Sequence, residues 1–300
     1  MRTYAVRGDK GVPMERICDL HVHSTYSDGT LTPAQLVCLA QELEISAVAL
    51  CDHNTVAGLP EFLKAARGSA LQAIPGIEFS TDYRGGELHI LGLFIDAQHY
   101  PAVTRLVEQM LLRKEQSNLD LIAGLKTAGI DLDYGMIKAG TPGGSVNRAV
   151  IAAEMVRKGY CASVKEAFAN WLSEKHGYFH PPRRLDAVET IRFIKTIGAV
   201  AVLAHPFLNL DEQGLREFLP EAVDSGLDAM EIYYPKFTAD QSLLAGRIAE
   251  EFGLLPSGGS DFHGENKPDI ALGTGRGNLM IPVSVADRLY EKRGAIENGL

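Results

Sequence analysis

The chain has 300 residues, 46% of them hydrophobic, with a formal net charge of −9 at pH 7 and a pI near 5.5. Such length and apolar content suffice for a packed core, in one large domain or two small ones. The acidic balance argues against nonspecific binding to nucleic acid or to a membrane surface. Residues 1–15 are polar, without an apolar leader core. No run reaches the roughly 18 apolar residues of a membrane span, so a cytoplasmic protein is expected. Cys18, Cys38, Cys51 and Cys161 lack paired spacing and are expected to be reduced thiols.

Residues 17–23 read as a buried strand ending in His21-x-His23, with Asp28 five positions further on. Thr32-Pro33 combines a cap with a first-turn proline and opens a helix to about Glu44. A second strand, 47–53, closes on Asp52-His53; a third, 71–79, carries Pro75-Gly76-Ile77-Glu78. The fourth, 88–95, begins with Leu88-His89, and Arg84-Gly85-Gly86 before it looks like a hairpin loop. From Tyr100 to Phe179 the pattern is helical, with helices predicted at 103–126, 147–158 and 164–172. His176 and His180 fall in a proline-flanked return loop. Strands then resume at 200–205, 229–234 and 254–260, alternating with helices at 186–196, 213–225 and 238–252.

Near-continuous apolar strands separated by helices imply a mostly parallel sheet covered on both faces. Seven such strands with polar residues at their C-terminal ends suggest a closed α/β barrel, which places chemistry at that face. The expected organisation is a barrel's first part at 16–99, a helical insertion over its mouth (a substrate cap) at 100–179, and the barrel's second part at 180–300.

A single strand-end histidine is most often structural. His21-x-His23 differs, because alternate strand residues point the same way and present both imidazoles to one ion. Asp28, His53, Glu78, His89, His205, Asp261 and His263 follow in barrel-like order. This set of imidazoles and carboxylates suits Mn²⁺, Fe²⁺ or Zn²⁺ better than Ca²⁺ or an all-oxygen Mg²⁺ site. It is too large for one ion. Two or three ions are expected, with a carboxylate such as Glu78 bridging.

His21-x-His23-Ser-x-x-Ser-Asp28-Gly-Thr, Asp52-His53-Asn54, Pro75-Gly76-Ile77-Glu78, Leu88-His89-Ile-Leu-Gly, Ala204-His205-Pro206 and Ser260-Asp261-Phe262-His263-Gly264 resemble the motif set of the polymerase and histidinol phosphatase (PHP) family. The resemblance covers about 16–275 and is strongest to stand-alone phosphoesterases of the family. It implies a distorted seven-stranded α/β barrel and a two- or three-metal site. By the same resemblance, one ion is held by His21, His23, Glu78 and Asp261, a second by Glu78, His89 and His205, and a third by Asp28, His53 and His263. Three divalent ions against three carboxylates and a hydroxide leave a charge of about +2, which suits a phosphate dianion, and a metal-activated hydroxide can attack phosphorus.

Asn147-Arg148 opens an insertion helix after Thr141-Pro142-Gly143-Gly144-Ser145-Val146, where a guanidinium can clamp phosphate. Family members often carry Gly-Arg-Pro-His here; this chain has Asn147-Arg148-Ala149-Val150, which keeps the arginine and loses the histidine. Arg148, Asn147 and Lys267 are the candidate substrate contacts, and His205, Asp261 and Arg148 the candidate catalytic groups. Asp52 either orients a ligand or caps a turn, and Asp19 is expected to accept a hydrogen bond within the first strand. Arg183 and Arg184 form a basic pair read as solvated, and Tyr233-Tyr234-Pro235 either stacks on substrate or packs.

The reading is a metal-dependent hydrolase of a small phosphorylated metabolite or nucleotide, with a 3′,5′-bisphosphate nucleotide or short oligoribonucleotide favoured. No membrane partner and no stable nucleic-acid complex are expected. A cyclic phosphodiesterase or phosphatase acting on a phosphorylated ribose is the alternative. More remote are a histidinol-phosphate phosphatase, a non-catalytic polymerase-associated module and an amidohydrolase. The last usually bridges its ions with a carboxylated lysine, where this chain has Glu78.

Overall fold

The structure, a computed structural model, describes residues 16–141, 146–182 and 184–297. The polar stretch 1–15, loop residues 142–145 and Arg183 lie outside the described residues. The chain divides into two compact units, one of Met1–Thr104 with Leu185–Leu300, the other of Arg105–Arg184.

The first unit is built on strands β1 (Cys18–Val22), β2 (Ala47–Leu50), β3 (Gln72–Tyr83), β4 (Gly86–Leu93), β5 (Leu185–Asp186), β6 (Val200–Leu203), β7 (Ala229–Tyr233) and β8 (Leu255–Gly258). They are ordered β1-β2-β3-β4-β6-β7-β8, with the two-residue β5 paired to the outer half of β3. Strand β4 runs antiparallel to both β3 and β6, and the other main-path pairs are parallel. The expected β3–β4 hairpin is therefore present, turning at Arg84 and Gly85, both with positive φ. The sheet curls until β1 meets the chain beyond β8. Val22 bridges Phe262, Asp261 N–H donates to His21 O at 2.8 Å, and His23 N–H donates to Phe262 O at 2.9 Å. The result is a nearly closed, seven-stranded mixed barrel.

Short strands of Val, Ala, Leu and Ile form the wall because branched and small side chains pack well on a pleated surface buried on both faces. Ile74 on β3, Leu91 and Leu93 on β4, Val200 and Val202 on β6 and Ala229 on β7 meet in one core. Helices α1 (Pro33–Glu42), α2 (Leu59–Ala65), α7 (Ala187–Thr196), α8 (Glu212–Asp224) and α9 (Ala239–Glu251) connect the strands. Thr32 with Gln35 and Thr238 with Gln241 close reciprocal capping boxes that start α1 and α9 where the sequence placed them. A final helix, Val283–Glu297, inserts Val285, Ala286 and Leu289 into the barrel core. Its start is bonded to the beginning of β1 through Val283 N–H to Arg16 O, so it plugs the end opposite the histidines. Sequence reading missed this plug and α2.

The second unit is helical. It comprises most of α3 (Tyr100–Thr127), with α4 (Tyr134–Ala139), α5 (Arg148–Arg157), α6 (Val164–Ala167) and a π-helical turn at Phe168–Leu172. Leu121, Leu125, Ile151, Met155 and Leu172 form its own core. No helix among the described residues is long and apolar enough to cross a membrane.

Candidate metal centre

On β3 and β4 one inward row carries both core residues and ligand-type side chains. On β3, Ile74 lies in the core and Glu78, four residues further along, keeps its side of the pleat. On β4 the order reverses because the strand is antiparallel, so His89 precedes Leu91 and Leu93 and still arrives at the same barrel end. His89 sits opposite Ser80 in the hairpin, diagonal to Glu78. The remaining groups come from β1 and the segments that follow β1, β2, β6 and β8.

Glu78 is the hub. Its side chain is 1% exposed, and its oxygens divide five imidazoles between them. Oε1 lies 2.6 Å from His89 Nδ1 and 3.0 Å from His205 Nε2. Oε2 lies 3.0 Å from His53 Nδ1, 3.2 Å from His21 Nε2 and 3.3 Å from His23 Nε2. Asp261 Oδ1 adds to this set at 3.3 Å from His23 Nε2 and 4.0 Å from His21 Nε2. Asp28, half exposed, approaches His263 Nε2 at 3.2 Å, His23 Nδ1 at 3.8 Å and His53 Nε2 at 3.8 Å.

Among the described residues, three groups have ligand atoms close enough together for one ion: His21, His23 and Glu78; His53, Glu78 and His89; and His23, Asp28, His53 and His263. All nine residues proposed from the sequence thus meet at one end of the barrel. Their grouping differs in detail, since His53 joins both the Glu78 set and the Asp28 set, and His23 joins two sets.

The donors fit metal ions. His21 Nε2, both nitrogens of His23, His53 Nδ1, Glu78 Oε2 and His205 Nδ1 are buried without a hydrogen-bond partner. Orphaned polar atoms at this density are costly unless a cation satisfies them. The charge pattern agrees. Burial pushes the Glu78 carboxyl up, yet His21, His205 and His23 hold it well below the usual carboxylate range. Burial depresses the His21 imidazole, but Glu78 and Glu231 raise it well above its ordinary value. The same opposition raises His89, between Glu78 and Glu87, to about 9. Burial raises the Asp261 carboxyl, but His23 and His21 keep it below its ordinary value.

A family model described as the PHP domain matches residues 19–176. A 5′-3′ exoribonuclease from Haemophilus influenzae is 35% identical over 251 residues, covering 83% of this chain and 91% of its own. The chain belongs to the PHP family. Another relative, a phosphoribosyl 1,2-cyclic phosphate 1,2-diphosphodiesterase from Eggerthella lenta, is 30% identical over 82% of this chain and 94% of its own. A solved structure from Bifidobacterium adolescentis, assigned to the metal-dependent phosphoesterases, superposes with a TM-score of 0.68 at 25% identity, covering 93% of this chain and 97% of that one.

Around these nine residues lie buried anchors. The Asp52 carboxylate accepts from Ser24 N at 2.7 Å, Ser24 Oγ at 2.6 Å and Ser27 Oγ at 2.7 Å, fixing the turn before Asp28. Asp19 accepts from Ser260 N at 2.8 Å, Ser260 Oγ at 2.5 Å and Gly273 N at 2.8 Å, tying β1 to the segment before Asp261. Tyr234 is buried, not on a rim. Its hydroxyl donates to Asp261 Oδ2 at 2.8 Å, and Lys267 Nζ reaches the same oxygen at 2.7 Å. Asp261 therefore turns Oδ1 toward the histidines while Oδ2 is held by donors. His263 Nδ1–H donates to Asp261 O at 2.8 Å, which leaves Nε2 for the Asp28 side.

The other candidate substrate residues lie in the second unit. Asn147 caps α5 by accepting from Val150 N at 3.1 Å. Arg148 stacks over Phe179 at 3.9 Å and donates to Leu172 O at 3.2 Å. Sequence reading overlooked Glu231 on β7, although a lone carboxylate inside the apolar run Ala229-Met230-Glu231-Ile232-Tyr233 was its signal.

Proposed function

We propose that this PHP protein hydrolyses phosphate esters of nucleotides, with short oligoribonucleotides and 3′,5′-bisphosphate nucleotides the favoured substrates. The observation that carries the reading is Glu78, a buried carboxylate whose two oxygens face separate sets of imidazoles. That is the arrangement a bridging ligand needs. The 5′-3′ exoribonuclease relative supports the nucleotide class. His21, His23, Glu78 and Asp261 would hold one ion, Glu78, His89 and His205 a second, and Asp28, His53 and His263 a third. The imidazole-rich set suits Mn²⁺, Fe²⁺ or Zn²⁺. Bound there, such ions would neutralise phosphate oxygens and activate water for attack on phosphorus.

The chain's own groups do the rest. Tyr234 and Lys267 keep Asp261 in one orientation, and Asp19 and Asp52 fix the segments that carry Asp261 and Asp28. His205 and Asp261 are proposed to serve catalysis as well as ligation. Asn147, Arg148 and Lys267 are proposed as phosphate contacts, the first two on the strength of the family resemblance. The helical block at 100–179 is proposed to select the substrate. Four free thiols fit a reducing compartment such as the cytoplasm.

A second reading, cyclic phosphodiesterase action on a phosphorylated ribose, is favoured by the Eggerthella lenta relative and by Val150 in place of the family's histidine. A release assay separates the two. The Mn²⁺-loaded protein is given a 5′-phosphorylated oligoribonucleotide, a 3′,5′-bisphosphate nucleotide and a ribose 1,2-cyclic phosphate. Mononucleotide or inorganic phosphate release from the first two supports the main reading. Ring opening of the third alone supports the second. No hydrolysis of any phosphate ester overturns both.

A further inference from the structure

Strand β7 supplies none of the nine proposed ligands, yet its Glu231 is fully buried against two of them. Glu231 Oε1 lies 3.0 Å from His21 Nδ1, and Oε2 accepts the backbone N–H of His205 at 2.7 Å. An ionised carboxylate offers only acceptors, so the proton of a neutral His21 ring must sit on Nδ1. Its Nε2 then directs a lone pair at Glu78 Oε2, 3.2 Å away, and toward Asp261 Oδ1, 4.0 Å away. Three electron-rich atoms converge there, a point that calls for a cation.

The second contact acts on the backbone. His205 has φ 29° and ψ 57°, a sparsely populated conformation for a residue with a side chain. Its N–H bond to Glu231 on the neighbouring strand holds that turn. So held, the His205 imidazole reaches Glu78 Oε1 at 3.0 Å.

We propose that Glu231 is a positioning residue of the metal centre, one oxygen fixing His21 in the tautomer that frees Nε2 and the other pinning the strained backbone of His205. The proposal rests on the metal-centre reading above. A glutamine cannot serve both contacts, because it has one acceptor and one donor end. If its oxygen keeps the His205 N–H, its amide donates to His21 Nδ1. The ring proton then moves to Nε2 and points at the place where the ion would bind.

The test titrates chelator-treated full-length protein and its Glu231→Gln variant with Zn²⁺, counting ions by native mass spectrometry and measuring affinity by competition with a chelating dye. Outer carboxylates on metal-bound histidines typically account for about 10–100-fold in affinity. The variant should lose affinity by that factor for the ion that His21 holds, while the Asp28–His263 side keeps its ion. Long-range ¹H–¹⁵N spectra of the Zn²⁺-loaded natural protein should show His21 protonated at Nδ1, a readout independent of whether the variant folds. Unchanged stoichiometry and affinity in Glu231→Gln, or His21 protonated at Nε2 in the natural protein, would overturn the proposal alone. Failure of the natural protein to bind Zn²⁺ would instead overturn the metal-centre reading on which it rests.

Discussion

Metal binding should be strongly coupled to proton release, and His89 sets the scale. Burial opposes its charge, but hydrogen bonds to Glu78 at 2.6 Å and Glu87 at 3.3 Å, with their charges, raise it to about 9. The sign follows directly. Below pH 9 the ring carries protons on both nitrogens, so an ion using His89 must displace one. The protonated form outweighs the neutral one by about 300 to 1 at pH 6.5 and about 3 to 1 at pH 8.5, so apparent affinity for that ion should rise roughly 75-fold over this range. Calorimetric Mn²⁺ titrations at pH 7, in buffers of different ionisation enthalpy, count the protons released. The natural protein should release about one more proton than His89→Gln for the ion that the histidine holds. Equal release, or an affinity flat from pH 6.5 to 8.5, would refute the reasoning.

Other outcomes follow from single contacts. Glu78→Gln removes the charge shared by five imidazoles, so bound metal measured by elemental analysis should fall by two ions and the hydrolysis rate at least about 100-fold. Asp19→Asn leaves one of the donors from Ser260 and Gly273 facing an amide N–H, and urea unfolding should show a loss of roughly 2–4 kcal/mol. Leu289→Ala opens a cavity where the C-terminal helix enters the barrel and should destabilise by about 2–5 kcal/mol in the same assay, with metal content unchanged. Arg148→Ala should raise KM for phosphorylated substrates and leave metal content unchanged; an unchanged KM removes it from the substrate contacts.

The convergence of the nine residues was legible in the sequence, because the features that make a barrel and those proposed to hold ions coincide. Strands such as Val200–Leu203 are short and wholly apolar, so the histidine that follows them stands out. His21-x-His23 shares a face by strand geometry alone. What resisted reading depends on distances across the barrel. His53 sits beside both Glu78 and Asp28, and no spacing along the chain reports that. Asp52 precedes His53 yet turns to Ser24 and Ser27, since its acceptors satisfy the donors of a different loop. Glu231 was passed over because a single carboxylate in a strand carries no motif; only folding brings it to His21. The C-terminal helix escaped notice for a similar reason. Its core-facing residues are few, and its partners lie at the opposite end of the chain.

The central claim, that these side chains form a multinuclear metal site on which hydrolysis depends, is tested most directly by metal content measured together with activity. The purified protein is stripped with chelator, assayed for phosphate-ester hydrolysis, and reloaded with Mn²⁺, Fe²⁺ or Zn²⁺ while bound ions are counted. The stripped protein should be inactive and recover in step with two or three ions per chain. Full hydrolytic activity in protein verified to be free of metal would contradict it.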